Sequence, residues 1–338
     1  MLPEHDLFRW GVIGPGGIAN RFAEALPVVP GAQLGAVFAR DAAKGRAFAD
    51  KWQRDGRTAR VTTQLDDLLA DPTVDAVYIA TPHSQHGHYI RAALLAGKAV
   101  LCEKPLVTTQ ADGQALVDLA RERGVFLMEA LWTRFLPVYD LAGQWLRDGA
   151  IGELRAMRSS FCFPAPYDPS TRLWNPALAG GSLLDIGIYN LAVTRWVLQQ
   201  VNGGVCPEPM RIDVHVVLAP TGVDASINAT LHFPGGVTSQ FRCGFDSASG
   251  NDFEVQGSEA AVRFPNGFSS GESVELIRRK QPIETTAAPF AGNGFEGEIA
   301  EAQACIRAGL IESPRMPHAE SLALLGWMDA IRARFPQP

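Results

Sequence analysis

The tripeptide Glu103-Lys104-Pro105 closes an apolar run, 99–103, that reads as a buried strand. Lys104 would then stand at the carboxyl end of that strand, where an ammonium can meet the negative charge that develops on a substrate oxygen. Pro105 fixes the backbone behind it and admits a cis peptide bond, which would aim the ammonium at a crevice. Read alone, Glu103 and Lys104 are better explained as a solvated ion pair. Far downstream, Asp185 and Tyr189 lie four residues apart in the stretch 182–198, which is apolar and helical in pattern, so the two share one helix face. A phenol, with an ordinary pKa near ~10, can exchange a proton with a substrate oxygen if a neighbouring ammonium favours the phenolate. The carboxylate would orient that group or the substrate. The alternative is a pair of satisfied polar residues at a domain boundary.

A second constellation, Gly14-Pro15-Gly16-Gly17-Ile18-Ala19, follows a predicted strand and opens a predicted helix. It fits G-x-G-x-x-G/A. Gly14 permits the tight turn, Gly16 lets backbone approach a pyrophosphate, and Ala19 lets helix and strand pack closely, with Gly17 and Ile18 presenting helix N–H groups to the ligand. An acid ~20 residues later would take a ribose 2′-hydroxyl, whereas an arginine there accommodates a 2′-phosphate. Here Ala39 and Arg40 stand near that position, which favours NADP over NAD. Asp41 keeps NAD open, since a shift of one residue would put a carboxylate there; it is also a good cap for the next helix.

The turn Thr81-Pro82-His83-Ser84-Gln85-His86 lies between a strand and a helix, where ligands gather in open parallel sheets. Thr81, Pro82, His83 and His86 therefore join the candidate cofactor residues, together with Glu103 and Lys104. Trp132 and Arg134, after the last strand of the first half, and Arg172, ahead of the Asp185 helix, could line a substrate pocket with Lys104, Asp185 and Tyr189. Packing accounts for the tryptophan as well. Metal-ligand clusters, H-E-x-x-H, a P-loop and G-x-S-x-G are absent from the sequence, so no metal is expected.

The elements that must position these residues change character along the chain. Apolar runs at 8–14, 33–39, 76–80, 99–103 and 125–130 alternate with helical patterns at 18–26, 42–52, 67–70, 85–96 and 110–123. Such alternation predicts a parallel sheet, here six strands, with crossover helices. Gly97 is placed to end the fourth helix. After about residue 152 the runs at 153–163, 211–218, 225–233, 237–245, 253–256, 260–264 and 274–279 predict a large, mostly antiparallel open sheet, with Pro234-Gly235-Gly236 as a hairpin turn. Helices are expected at 295–308 and 319–334. The fold class is α/β, with a Rossmann domain at 1–130 and an α/β domain at 131–338 whose last helices can pack back on the first.

The length of 338 residues suits two domains. Thirty Lys and Arg against 36 Asp and Glu leave a net charge of −6, so nothing draws the chain as a whole to nucleic acid or anionic membranes. No apolar run approaches the ~18 residues needed to span a bilayer. The start, Met1-Leu2-Pro3-Glu4-His5-Asp6, carries acids where a secretory signal needs basic residues. Five scattered cysteines without a C-x-x-C pair suit a reducing compartment, and the cytoplasm is the expected location.

Taken together, Gly14-x-Gly16-x-x-Ala19, Thr81-Pro82-His83-x-x-His86, Glu103-Lys104-Pro105 and Asp185 four residues before Tyr189 resemble the Gfo/Idh/MocA oxidoreductases over nearly the whole chain. The stretches 128–135 and 180–189 look most like the dimeric dihydrodiol dehydrogenase and NADP-linked D-xylose dehydrogenase branch. This resemblance implies a catalytic lysine at Lys104 and acid/base partners at Asp185 and Tyr189. It also implies hydride exchange between nicotinamide and a sugar, cyclic trans-diol or related carbonyl compound, in a homodimer joined through the second sheet. Two alternatives stay open: an NAD-dependent glycosidase or lyase working by transient oxidation, and a non-catalytic dinucleotide sensor.

Overall fold

The computed structural model describes residues 7–54, 56 and 58–336; the acid-bearing residues 1–6 lie outside them. The chain divides into two compact units. One comprises the chain up to Arg134 together with Ala291–Leu325, and the other comprises Phe135–Phe290 together with the chain from Gly326 on.

In the first unit β1 (Phe8–Ile13), α1 (Gly17–Ala25), β2 (Ala32–Phe38), α2 (Ala42–Lys51), β3 (Arg60–Thr62), α3 (Leu65–Leu69), β4 (Ala76–Ile79), α4 (His86–Leu95), β5 (Ala99–Glu103), α5 (Gln110–Arg123) and β6 (Leu127–Ala130) follow in order. The strands form one sheet, β3-β2-β1-β4-β5-β6, in which every pairing is parallel. β4 and β5 are buried along their whole length. Strands covered on both faces read as unbroken apolar runs, and burying Val77 or Ile79 contributes about 1.5–3 kcal/mol each. The sixth strand is β3, three residues at the sheet edge, too short for an apolar run to announce it. α5 shows how local sequence sets helix ends: Thr109 accepts from the Asp112 N–H at 3.1 Å, and Gly124 closes the helix at φ 61°. Because β1 is flanked by β2 on one side and β4 on the other, the chain reverses its direction of travel between β1 and β4, which opens a crevice at their carboxyl ends.

The second unit contains α6 (Pro137–Arg147), β7 (Leu154–Cys162), a π-helical turn at Leu183–Gly187 continuing into α7 (Ile188–Val201), and strands β8 (Arg211–Leu218), β9 (Asp224–His232), β10 (Thr238–Gly244), β11 (Phe253–Gly257), β12 (Ala260–Phe264), β13 (Ser273–Arg278) and β14 (Glu284–Ala287). They form one eight-stranded sheet, β14-β13-β12-β11-β7-β10-β9-β8. Of its pairings, only β7 with β10 runs parallel. Pro234–Gly236 makes the turn between β9 and β10, with both glycines at positive φ. Neither α6 nor β14 is marked by the apolar runs read from the sequence. α7 packs on the sheet through polar contacts sealed in the core, Asn190 Nδ2 to Ser159 Oγ at 2.8 Å and Thr194 Oγ1 to Ser239 Oγ at 2.7 Å. Contrary to the sequence reading, the stretch Pro176–Val201 is long and apolar enough to cross a bilayer, with a mean hydropathy of 1.3. Of its most apolar window, 78% is buried, which makes it the core helix of this unit.

The two compact units do not follow the expected bounds of 1–130 and 131–338, although the sequence reading allows the last helices to pack back on the first domain. The segment Ala291–Leu325, with α8 (Glu296–Arg307) and the first half of α9 (His318–Arg332), belongs to the first unit. Side-chain contacts tie it there: Asn293 Nδ2 donates to the Arg21 carbonyl at 2.8 Å, and Gln303 Nε2 donates to the Pro30 carbonyl at 2.8 Å. Gly113 of α5 admits Leu325 so closely that a Cβ there would lie 2.6 Å from it. The first domain likewise runs to Arg134 rather than ending at residue 130, because the Trp132–Phe135 turn packs with this returning segment.

Candidate active site

In the first unit a cavity of about 450 Å³ opens at the carboxyl ends of β1, β2 and β4, lined by Gly14–Gly16, Phe38–Asp41, Lys44, Ala80–Pro82, Gln85 and Tyr89. Its floor explains the glycine spacing. Gly14 has φ 90°, and a Cβ on it would sit 2.9 Å from Thr81 Cγ2 and 3.0 Å from the Ala80 carbonyl, so only glycine lets β1 and β4 approach here. At Gly16 and Gly17 a Cβ would meet nothing within 4 Å, which leaves open space above the amino end of α1. Ala19 is fully buried and lets α1 pack down; Ile18 is exposed on the first turn. Thr81 Oγ1 is buried with no hydrogen-bond partner among the described residues. Open space over helix N–H groups, an unused hydroxyl and two cations fit a dinucleotide.

Asp41 lines the cavity and also caps a helix. Its carboxylate caps α2, accepting from the Ala43 N–H at 2.8 Å and the Lys44 N–H at 3.2 Å, and these bonds hold its pKa below the usual value. Arg40 stands at the end of β2 with Lys44, a second cavity cation one turn into α2 that the strand-end reading missed. Gln85 and Tyr89 were missed too, because a turn followed by a helix gives no hint of which side chains face a ligand.

Lys104 directly follows β5, and its bond to Pro105 is cis. Two buried side chains hold the turn that carries it. Glu129 Oε1 accepts from the Leu106 N–H at 2.8 Å, and burial raises the Glu129 pKa. His86 places its ring nitrogens 2.8 Å from the Pro105 carbonyl and 2.9 Å from the Thr81 carbonyl. Burial lowers the His86 pKa, and a neutral imidazole has one N–H to give to one of these oxygens. His86 thus joins the two site turns from beneath instead of touching the cofactor itself, a correction to its expected role. His83 sits beside it, the two rings 5.7 Å apart, in the turn His83–Gln85. The Glu103 side chain also points inward, accepting a hydrogen bond from the buried Tyr78 hydroxyl.

Two of the expected substrate residues have structural partners. Arg134 pairs with Glu320 of α9 at 2.8 Å, with side-chain exposures of 11% and 2%, and so fastens the returning segment. Trp132 is buried against Phe295, ring centres 5.0 Å apart, with the Arg21 guanidinium 5.5 Å above it.

In the second unit Asp185 lies within the π-turn and Tyr189 at the start of α7, both largely buried. Arg172 reaches Asp185 Oδ1 at 2.8 Å from a mostly exposed position. The Tyr189 ring packs 5.5 Å from Phe161. The amino end of this helix has no cap from its own segment; Asp224 of β9 supplies one, accepting from Ser182 Oγ at 2.8 Å and from the Leu183 N–H at 2.6 Å. Burial raises the Asp224 pKa to about 6 against the pull of those two bonds. A carboxylate and a phenol on one helix, with a guanidinium from the preceding segment paired to the carboxylate, can bind a polyhydroxylated molecule and move a proton.

Comparison with known proteins identifies the family of both units. Residues 8–131 match an oxidoreductase family model with an NAD-binding Rossmann fold, and residues 139–263 match the GFO/IDH/MocA C-terminal domain. Trans-1,2-dihydrobenzene-1,2-diol dehydrogenases of Mus musculus and Homo sapiens are 36% and 34% identical, over 97% of this chain and 98% of theirs. Among solved structures, an aldose-aldose oxidoreductase from Caulobacter crescentus complexed with glycerol is 27% identical with a TM-score of 0.84, covering 97% of both chains. A 3-ketoreductase from Actinomadura kijaniata, solved with NADP and TDP-benzene, is 30% identical with a TM-score of 0.82, covering 98% of this chain and all of its own. With a parallel dinucleotide-binding sheet, a large mixed sheet and full-length relatives of this kind, the chain belongs to the Gfo/Idh/MocA family and is an NAD(P)-dependent dehydrogenase or reductase.

Proposed function

We propose that the protein uses NADP and interconverts a secondary alcohol and a carbonyl on a sugar, a cyclic trans-diol or a related compound. The observation that carries the cofactor choice is the end of β2: Asp41 caps α2 through Oδ1, while Arg40 and Lys44 line the cavity beside it. Two cations beside a carboxylate that already serves as a helix cap suit a 2′-phosphate. The 3-ketoreductase relative was solved with NADP, and the substrate class rests on the diol dehydrogenases and sugar-handling relatives.

When bound, the nicotinamide supplies the hydride acceptor or donor. The chain's own residues handle the oxygen. Lys104 holds the substrate oxygen and offsets its developing negative charge, the role an oxyanion hole performs elsewhere. Tyr189 exchanges the hydroxyl proton with that oxygen. Asp185, steadied by Arg172, accepts a hydrogen bond from a second substrate hydroxyl, which would select diols and sugars over simple alcohols. The same ketoreductase was also solved with a lysine replaced and, separately, with a tyrosine replaced, the two residue types this reading needs. We also propose that two copies pair through the face of the eight-stranded sheet that displays Arg158, His215, Asn228 and Gln240 around a groove of about 690 Å³; light scattering after size-exclusion chromatography reads this directly.

Absorbance of the reduced nicotinamide, followed with NADP and with NAD against pentoses, hexoses and cyclic trans-diols, tests the main reading. Turnover with NADP on one of these classes is expected. Turnover with NAD alone, or none across the panel, contradicts it.

A further inference from the structure

We infer that Asp224 is a positioning residue for the proton-transfer step, acting through the helix that carries Asp185 and Tyr189; this rests on the reading of those two residues given above. Asp224 lies at the start of β9, 6% exposed, and touches neither of them through any hydrogen bond of its side chain described here. Its Oδ2 takes the Ser182 hydroxyl and the Leu183 N–H, the first groups of the helical stretch. A helix leaves its first N–H groups without internal partners, and a carboxylate there satisfies one of them and complements the helix dipole.

The backbone around the clamp has no slack. The Gly181 N–H donates to the Leu173 carbonyl at 2.9 Å. Gly181 has φ 119°, and a Cβ on it would lie 2.3 Å from Asp224 Oδ1. One turn later, a Cβ on Gly187 would lie 3.0 Å from Cys243 Sγ of β10. The helix is therefore pinned at 181 by Leu173, at 182–183 by Asp224, and pressed at 187 against the sheet.

Between these points the chain makes a π-turn, in which the Ile188 N–H reaches back five residues to the Leu183 carbonyl. A π-turn holds one residue more than an α-turn over the same rise, and such turns occur often at functional sites. Release of the Leu183 end would let the turn relax toward α geometry, rotating Asp185 relative to Tyr189. A displacement of about 1 Å in a reacting group can reduce a rate about 100-fold.

The experiment compares Asp224→Ala and Asp224→Asn with the wild-type full-length enzyme, with Tyr189→Phe as a control. Asp224→Ala should lower kcat by about 10- to 100-fold. Its binding stoichiometry and Kd for NADPH, read by nucleotide fluorescence, should stay within about twofold of wild type, since that site is in the other unit. Asn keeps an acceptor oxygen in place and should restore kcat to within about fivefold. Hydrogen exchange of the peptide spanning 183–189 should accelerate in Asp224→Ala and not in Asp224→Asn. Should Asp224→Ala not fold, Ser182→Ala removes one of the two bonds and should lower kcat several-fold with the same exchange signature. Wild-type kcat and wild-type exchange in Asp224→Ala overturn the inference. So does equal loss in both Asp224 variants, which would assign the effect to charge. Undiminished turnover in Tyr189→Phe would instead overturn the reading of the site, and the exchange data would still decide whether Asp224 clamps the helix.

Discussion

The two units hold their chemistry by different means. In the first, four candidate residues stand just beyond the carboxyl ends of parallel strands: Gly14 after β1, Arg40 after β2, Thr81 after β4, Lys104 after β5. The sheet delivers them to one edge, and each lies within a few residues of the motif that marks it. In the second, Asp185 and Tyr189 ride on a helix whose amino end is capped by Asp224, some forty residues downstream, and Asp185 itself is paired with Arg172. A strand end is fixed by the ladder on both sides of it. A helix end is fixed by whatever caps it, and here the cap comes from another element.

That difference predicts where substitutions will act. The largest effect concerns Asp224 and pH. Its pKa is raised to about 6 in the folded protein from an ordinary 3.8, so the folded state holds its proton more tightly than the unfolded chain. Stability from this group is present in full below about pH 4 and declines as pH rises through 6, by about 3 kcal/mol at 1.36 kcal/mol per pKa unit. Asn at 224 carries no such term. Wild type should therefore lose ground to Asp224→Asn between pH 4 and pH 7 in denaturant midpoints, and a gap that is constant or moves the other way would remove the assignment. The groups that act on Asp224 besides its two donors are Arg332 and its own N–H.

Next in size is Arg40→Ala, which should weaken NADP by about 1.5–3 kcal/mol, the range for hydrogen bonds to charged groups, and leave NAD nearly unchanged. Titration calorimetry with both nucleotides measures the ratio, and equal losses would contradict a role at the 2′-phosphate. Smallest is the contrast between two glycines of one motif. Gly14→Ala forces a side chain to φ 90° against β4 and should lower the stability of the first unit by about 1–2 kcal/mol. Gly16→Ala meets nothing in the protein and should keep the melting temperature while weakening dinucleotide binding. If both variants lose only stability, the space above Gly16 is not where a ligand lies.

The same contrast decided what could be read from the chain. The glycine motif, the Thr81 turn, the Lys104 strand end and the shared face of Asp185 and Tyr189 are local patterns, and local patterns survive in a sequence. Asp41 showed both readings at once, and only its two hydrogen bonds to α2 decide that it is a cap. His86, Glu103 and Arg134 were assigned to ligands by proximity in sequence, yet each turns into the protein toward Pro105, Tyr78 and Glu320. Asp224 left no trace, because nothing in a β-strand beginning with aspartate announces a helix forty residues earlier. α6 was legible in principle, with Pro137 at its first turn and apolar residues at 138, 139, 142 and 146; it was missed because the expected domain boundary fell beside it.

The central claim is that Lys104 and Tyr189 serve one substrate oxygen, and a double-mutant cycle on kcat tests it most directly. Lys104→Met and Tyr189→Phe should each lower kcat by about 10²–10⁴-fold, with NADPH binding retained. Because both act on the same atom in one step, the double variant should be little worse than the poorer single one. Losses that multiply in the double variant would mean that the two residues act independently, and would contradict the account.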